Sequence, residues 1–221
     1  MLSEETELSW AAIAGFVRQL THDVRNQLNG LELETALIAD SLPEPEAMES
    51  LVRIREQLHH VAGTLKSLSS RFADPCPTLS PIAATELFLI FQEQAASMEN
   101  LPPIDWTHTL KLEQINVDAS ELANAVKELL ANARDFGSGG HLHIGGRTES
   151  GNVIYEFFEP KSSSLQTEGW GCVPFHSTKR NGYGLGLWET HRLVEANKGK
   201  ITHEYLPGEK DLLTTLSFPA V

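Results

Sequence analysis

The sequence predicts an α+β chain of two unequal domains, a helical hairpin over residues 1–75 and a layered helix-and-sheet domain over residues 76–221. Three observations carry this. Two long stretches near the start repeat apolar residues in steps of three and four. A proline-rich break, DPCPTLSP at residues 74–81, follows the second of them. Beyond it, strand-like and helix-like patterns alternate, as in a sheet with helices packed on it.

Composition narrows the function. At 41% hydrophobic and 21% charged residues, the 221-residue chain is an ordinary globular one. Its 17 Lys and Arg stand against 30 Asp and Glu, a formal charge of -13. That charge repels nucleic acid and anionic membranes, so neither is an expected partner, and any phosphate site must rest on local geometry. The only cysteines, Cys76 and Cys172, are too few for a disulfide framework or a zinc cage and suit a reducing compartment. No apolar stretch approaches the ~20 residues that span a bilayer, and the start MLSEETELSW lacks the features of a signal peptide. A cytoplasmic protein is expected.

The first helix is read over residues 3–41, with Ile13, Val17, Leu20, Val24, Leu31 and Ile38 on one narrow stripe. SLPEPE at 41–46 interrupts the pattern, which resumes as Leu51, Ile54, Leu58, Val61, Leu65, Leu68 and Phe72. Two helices with one seam apiece cannot close a core alone, so a homodimer forming a four-helix bundle is expected. After the break come a helix at 83–98, a strand at 104–110 and a helix at 119–136. Strands at 141–147 and 152–159 follow, then a Gly, Ser and Lys-rich loop, a helix at 185–197, and strands at 200–205 and 212–218. The expected sheet is mixed, and a loop of that length inside a compact domain points to function or disorder.

His22 lies two positions from both Leu20 and Val24, roughly 200° around the helix from each. It therefore leaves the seam and shares a polar face with Arg18, Arg25, Asn26 and Asn29. An exposed imidazole can take a phosphoryl group on one nitrogen while a neighbour holds the other. Asp23 is the nearest candidate base and Asn26 stands one turn on; by geometry alone, a single exposed histidine is more often an uninvolved one. Glu128 and Asn132 also stand one turn apart, in KELLANARDF, and their oxygens suit Mg²⁺. A surface Glu with an ordinary Asn would look the same. Gly182, Gly184 and Gly186 precede an amphipathic helix, where backbone amides and the helix dipole favour an anion.

Together these strings resemble the cytoplasmic core of two-component histidine kinases. THDVRNQLNGLE is similar to the family's H box, with His22 as phosphoacceptor, Asp23 as the adjacent acid and Asn26 four positions on. The resemblance implies that Asp23 assists phosphorylation and Asn26 dephosphorylation of the partner. Gln27 stands where the family commonly has Pro, so an unbroken helix is expected there. KELLANARDF resembles the N box, whose Asn, here Asn132, holds Mg²⁺ beside Glu128. NGYGLGLWETHRLVEANKGKI resembles the G2 box, and PFHSTK the F box, with Phe175 as packing residue and Lys179 as phosphate contact. The implied fold of the second domain is the α/β sandwich of the histidine kinase and gyrase ATPases. One motif departs. Where the family has the Asp-x-Gly-x-Gly that recognises adenine, this chain reads EPKSSS, with Glu159 at the Asp position and no glycine.

Three functions remain open at this point. In the first, ATP and Mg²⁺ phosphorylate His22, which passes the group to the receiver domain of a response regulator. The second is an ATP-independent histidine phosphotransferase of a phosphorelay, with a vestigial nucleotide site. A regulatory scaffold without chemistry is the third.

Overall fold

The structure, a computed structural model, describes residues 10–39, 45–175 and 184–221. The chain divides into two compact units, Met1–Asp74 and Pro75–Val221.

The first unit is a hairpin of α1 (Trp10–Ala39) and α2 (Pro45–Arg71). Helix α1 runs through Gln27 without a break. Helix α2 starts at Pro45, inside the segment read as interhelical loop, because a proline suits a first helical position where the N–H has no partner in any case. Along α1 the buried line is Ala14, Thr21, Leu28 and Thr35, a strict step of seven, with Leu51 buried on α2. The two threonines tolerate burial because their hydroxyls donate to the preceding turn, Thr21 Oγ1 to Val17 O at 2.7 Å and Thr35 Oγ1 to Glu32 O at 2.8 Å. His59 of α2 meets Glu32 of α1 at 3.0 Å.

In the second unit β1 (Ser80–Ala83) leads into α3 (Ala84–Ala96), followed by β2 (Ile104–His108), β3 (Gln114–Val117) and α4 (Ala119–Phe136). Then come β4 (Leu142–Glu149), β5 (Asn152–Pro160), α5 (Gly186–Ala196), β6 (Lys200–Leu206) and β7 (Asp211–Pro219). The main sheet has the order β2-β4-β5-β7-β6, with β2 and β4 parallel and the other pairs antiparallel. Strands β1 and β3 form a separate antiparallel ribbon. The sequence reading missed both, because four residues each, one pair including Pro81, are too short to show an alternation. The strand expected to reach residue 110 stops at His108.

Strict alternation along β5 and β7 buries Val153, Tyr155 and Phe157 with Leu216 and Phe218. Leu87, Phe88 and Phe91 of α3, Leu122, Val126 and Leu130 of α4 and Val194 of α5 complete one core. Tyr155 reaches across it to donate its hydroxyl to Ala84 O at 2.8 Å. The same phase carries on to Glu159, which is buried at the end of β5. Helix α4 begins at Asp118, whose carboxylate accepts from Ser120 N and Glu121 N, both at 3.1 Å, and from Thr78 N at 2.9 Å. Those bonds hold its carboxyl below the usual range. Among the described residues, no helix is long and apolar enough to cross a membrane.

Candidate functional sites

On α1, burial of Thr21 fixes the helix phase and turns His22 outward, its side chain 68% exposed. His22 Nδ1 lies 3.2 Å from Asp23 Oδ1, and the Asn26 carboxamide nitrogen lies 3.4 Å from the same ring nitrogen. Gln19, one turn before, donates to the same Asp23 oxygen at 2.9 Å. The hydrogen bonds from His22 and Gln19 lower the Asp23 carboxyl below its ordinary value, so it stays a carboxylate. A carboxylate accepting from Nδ1–H assigns the ring proton to Nδ1 and the lone pair to Nε2. The three residues read as one motif are thus neighbours: Asp23 bonds the imidazole, and the Asn26 amide lies beside the same nitrogen without donating to it in this tautomer. Gln19 was not among the sequence candidates, although its spacing of four from Asp23 is a legible signal.

In the second unit, Glu128 and Asn132 are half-buried on α4 and face the start of α5. A Cβ added at Gly186 would lie 2.7 Å from Glu128 Oε2 and 4.0 Å from Asn132 Nδ2. A side chain at Gly186 would require the Glu128 carboxylate to move, and the close approach sets the ends of Glu128 and Asn132 against the N-terminal end of α5. This donor set suits Mg²⁺ shared with phosphate, which needs one or two protein oxygens. Among the described residues no three His, Cys, Asp or Glu cluster as a metal site of their own. Gly184 has φ 65°, and its carbonyl accepts from Phe175 N at 2.9 Å, which ties residue 175 to the residues that lead into α5. Phe175, expected to pack, is 52% exposed. Lys179 and Gly182 lie outside the described residues.

Glu159, read from the resemblance at the Asp position of the adenine motif, lies by the C-terminal end of α4. Glu159 forms an ion pair with Lys161, the two side chains only 11% and 10% exposed. Burial raises the Glu159 carboxyl above its ordinary value, and Lys161 opposes that. Lys161 Nζ also reaches Phe136 O, the last carbonyl of α4, at 3.4 Å. In the sequence Lys161 is one of the EPKSSS residues that stand where the resembled motif has glycines. Its role as partner of Glu159 leaves only the signal of opposite charges two residues apart, since β5 ends at Pro160.

No family model matches the chain. In sequence it is similar to the sensory histidine kinase/phosphatase NtrB of Klebsiella oxytoca, 24% identical over 220 residues, covering 90% of this chain and 61% of NtrB. The NtrB of Escherichia coli O157:H7 is 23% identical over 218 residues, with the same shares of 90% and 61%. The chain thus spans 61% of the length of these curated relatives. Among solved structures, full-length ShkA in complex with AMPPNP superposes with a TM-score of 0.66 at 19% identity, covering 94% of this chain and 46% of ShkA. Acinetobacter baumannii histidine kinase AdeS gives 0.51 at 18% identity, covering 90% of this chain and 97% of AdeS. The chain has the fold of histidine kinase cores, helices followed by an ATPase-type α/β domain.

Proposed function

We propose, from the chain's similarity to sensor histidine kinases in sequence and fold, that it is the phosphoryl-carrying core of a two-component signalling protein. His22 receives a phosphoryl group and exchanges it with an aspartate on the receiver domain of a response regulator. The observation that carries this is the His22 cluster: an exposed imidazole whose Nδ1 is held by Asp23. Nε2 attacks phosphorus while the bond to the leaving oxygen breaks, and positive charge develops on the ring. The Asp23 carboxylate, already paired with Nδ1–H, stabilises that charge and holds the tautomer. Asn26 places a carboxamide at the same nitrogen, where it can orient the partner's acyl phosphate and a water.

The donor in the first reading is Mg-ATP, which supplies a phosphoryl group at its γ-position. Glu128 and Asn132 would hold Mg²⁺, the backbone around Gly182, Gly184 and Gly186 would face the phosphates, and Lys179 would contact them. The juxtaposition of Glu128, Asn132 and Gly186 supports this reading, as does the likeness to ShkA, solved with AMPPNP. Catalysis would come from positioning and charge neutralisation. A second reading, an ATP-independent histidine phosphotransferase, is favoured by one observation, the Glu159–Lys161 ion pair at the base end of the site.

Labelled ATP with Mg²⁺, and separately a phosphorylated receiver, test these readings. Wild type should acquire acid-labile label from at least one donor, and His22→Gln from neither. Label from ATP supports the kinase, and label from the receiver alone supports the phosphotransferase. Uptake by His22→Gln equal to wild type, or uptake by neither protein, would sink the assignment of His22.

A further inference from the structure

Glu159 continues the inward phase of β5, behind Val153, Tyr155 and Phe157, so strand geometry alone drives its carboxylate into the helix layer. There it lies against the end of α4, where a Cβ added at Gly137 would sit 3.8 Å from Glu159 Oε1. A carboxylate at that depth needs a cation or several hydrogen-bond donors to remain charged. Lys161 supplies them from within the chain. Its ammonium contacts Glu159 and Phe136 O, so it also meets the negative end of the α4 dipole.

The segment that carries the pair is anchored on three sides. Lys161 N donates to Lys210 O at 2.8 Å, in the turn between β6 and β7. Pro160 O accepts from Ser138 N at 3.3 Å and from Ser138 Oγ at 3.0 Å. A Cβ added at Gly140 would lie 3.0 Å from Pro160 Cγ, so this glycine leaves the room that the proline ring fills. The ion pair is therefore built into the fold, unlike a surface pair that water would replace.

We propose that Lys161 determines nucleotide specificity at this site: its ammonium holds Glu159 Oε1 and neutralises the carboxylate, so an adenine amino group meets an acceptor whose charge is already compensated. The proposal rests on the reading that the Pro75–Val221 unit holds a nucleotide. A purine amino group is a neutral donor: at Oε2 it bonds a carboxylate already paired, and to take Oε1 it must strand a buried ammonium. The consequence is weak discrimination in favour of adenine and low affinity in the wild-type chain. Removing the ammonium makes Glu159 available to the base.

The test is calorimetric titration of the full chain with ATP and Mg²⁺. Lys161→Ala should bind ATP about 10- to 100-fold more tightly than wild type, the range of a hydrogen bond to a charged group. The Glu159→Gln, Lys161→Ala double variant should lose that gain, and Lys161→Arg, which keeps the ion pair, should behave as wild type. Should Lys161→Ala not fold, as judged by its thermal transition, Lys161→Met keeps the apolar stem and takes its place. Equal ATP affinity in wild type and Lys161→Ala, or Lys161→Met in its place, overturns the proposal, as does a gain that survives Glu159→Gln. Absence of ATP binding in every variant overturns it together with the nucleotide reading. Phosphoryl uptake by His22 from a receiver would then stand by itself, which separates the two failures.

Discussion

At His203 two imidazoles meet. Its Nε2 lies 3.0 Å from Nε2 of His191 on α5, and its Nδ1 lies 2.9 Å from Thr214 Oγ1 on β7. Trp170 and Gly171 cover them: the Trp170 ring centroid is 6.1 Å from that of His203, and a Cβ at Gly171 would lie 2.2 Å from His191 Cδ2. Burial, then the charge of His191, pushes His203 down to about 4, and burial lowers His191 against the pull of Glu195. The unfolded chain, with ordinary histidines near 6.5, thus binds more protons between about pH 4 and 6.5. The stabilisation is full above 6.5 and fades as pH falls through that window. Denaturant unfolding at pH 7 and pH 5 should show wild type losing ~1 to 2 kcal/mol more than His203→Gln, since each pKa unit is worth about 1.36 kcal/mol. Equal losses would show that the pair does not set this response. Neither histidine stands out in the sequence, because β6 and α5 bring them together only through packing.

In the hairpin, the seam read from the sequence splits into two faces. Val17 and Val24 are half-buried, whereas Leu20, Leu31 and Ile38 are 48%, 47% and 47% exposed. The inner line is Ala14, Thr21, Leu28 and Thr35, legible as a period of seven but hidden by small and hydroxyl side chains that an apolar count passes over. Exposed Phe16 and Leu33 on α1 and Val52, Ile54 and Val61 on α2 add to the uncovered apolar surface. These side chains leave apolar surface of the hairpin uncovered, which suits the homodimer expected from the sequence. A Leu20→Glu, Ile54→Glu chain should shift from dimer to monomer at micromolar concentration by light scattering. A dimer equally strong in the variant would move the interface elsewhere. In the second unit, α4 and the two long strands β5 and β7 follow their predicted spans closely because each combines one strong period with a clear cap or turn. The ribbon of β1 and β3 escaped notice because four residues carry too little periodic signal.

For the molecule as a whole, Pro75–Val221 has its own core, from Ala84 on α3 to Phe218 on β7. Expressed alone, residues 75–221 should give a single cooperative thermal transition; a broad, non-cooperative melt would show that the core depends on the hairpin. Sequence by itself determined the order of helical hairpin and layered domain, the outward phase of His22 and the absence of glycine at 160–164, because helical period and local spacing are short-range properties. Tertiary structure decided three things that no window of sequence contains: that Glu128 and Asn132 meet the Gly186 backbone, that His191 meets His203, and that Glu159 is deep enough to require Lys161. Depth is the physical reason for the last. Charge spacing shows only that a carboxylate and an ammonium can meet, whereas the loss of water around them, set by β5, α4 and the turn at Lys210, fixes what the pair excludes.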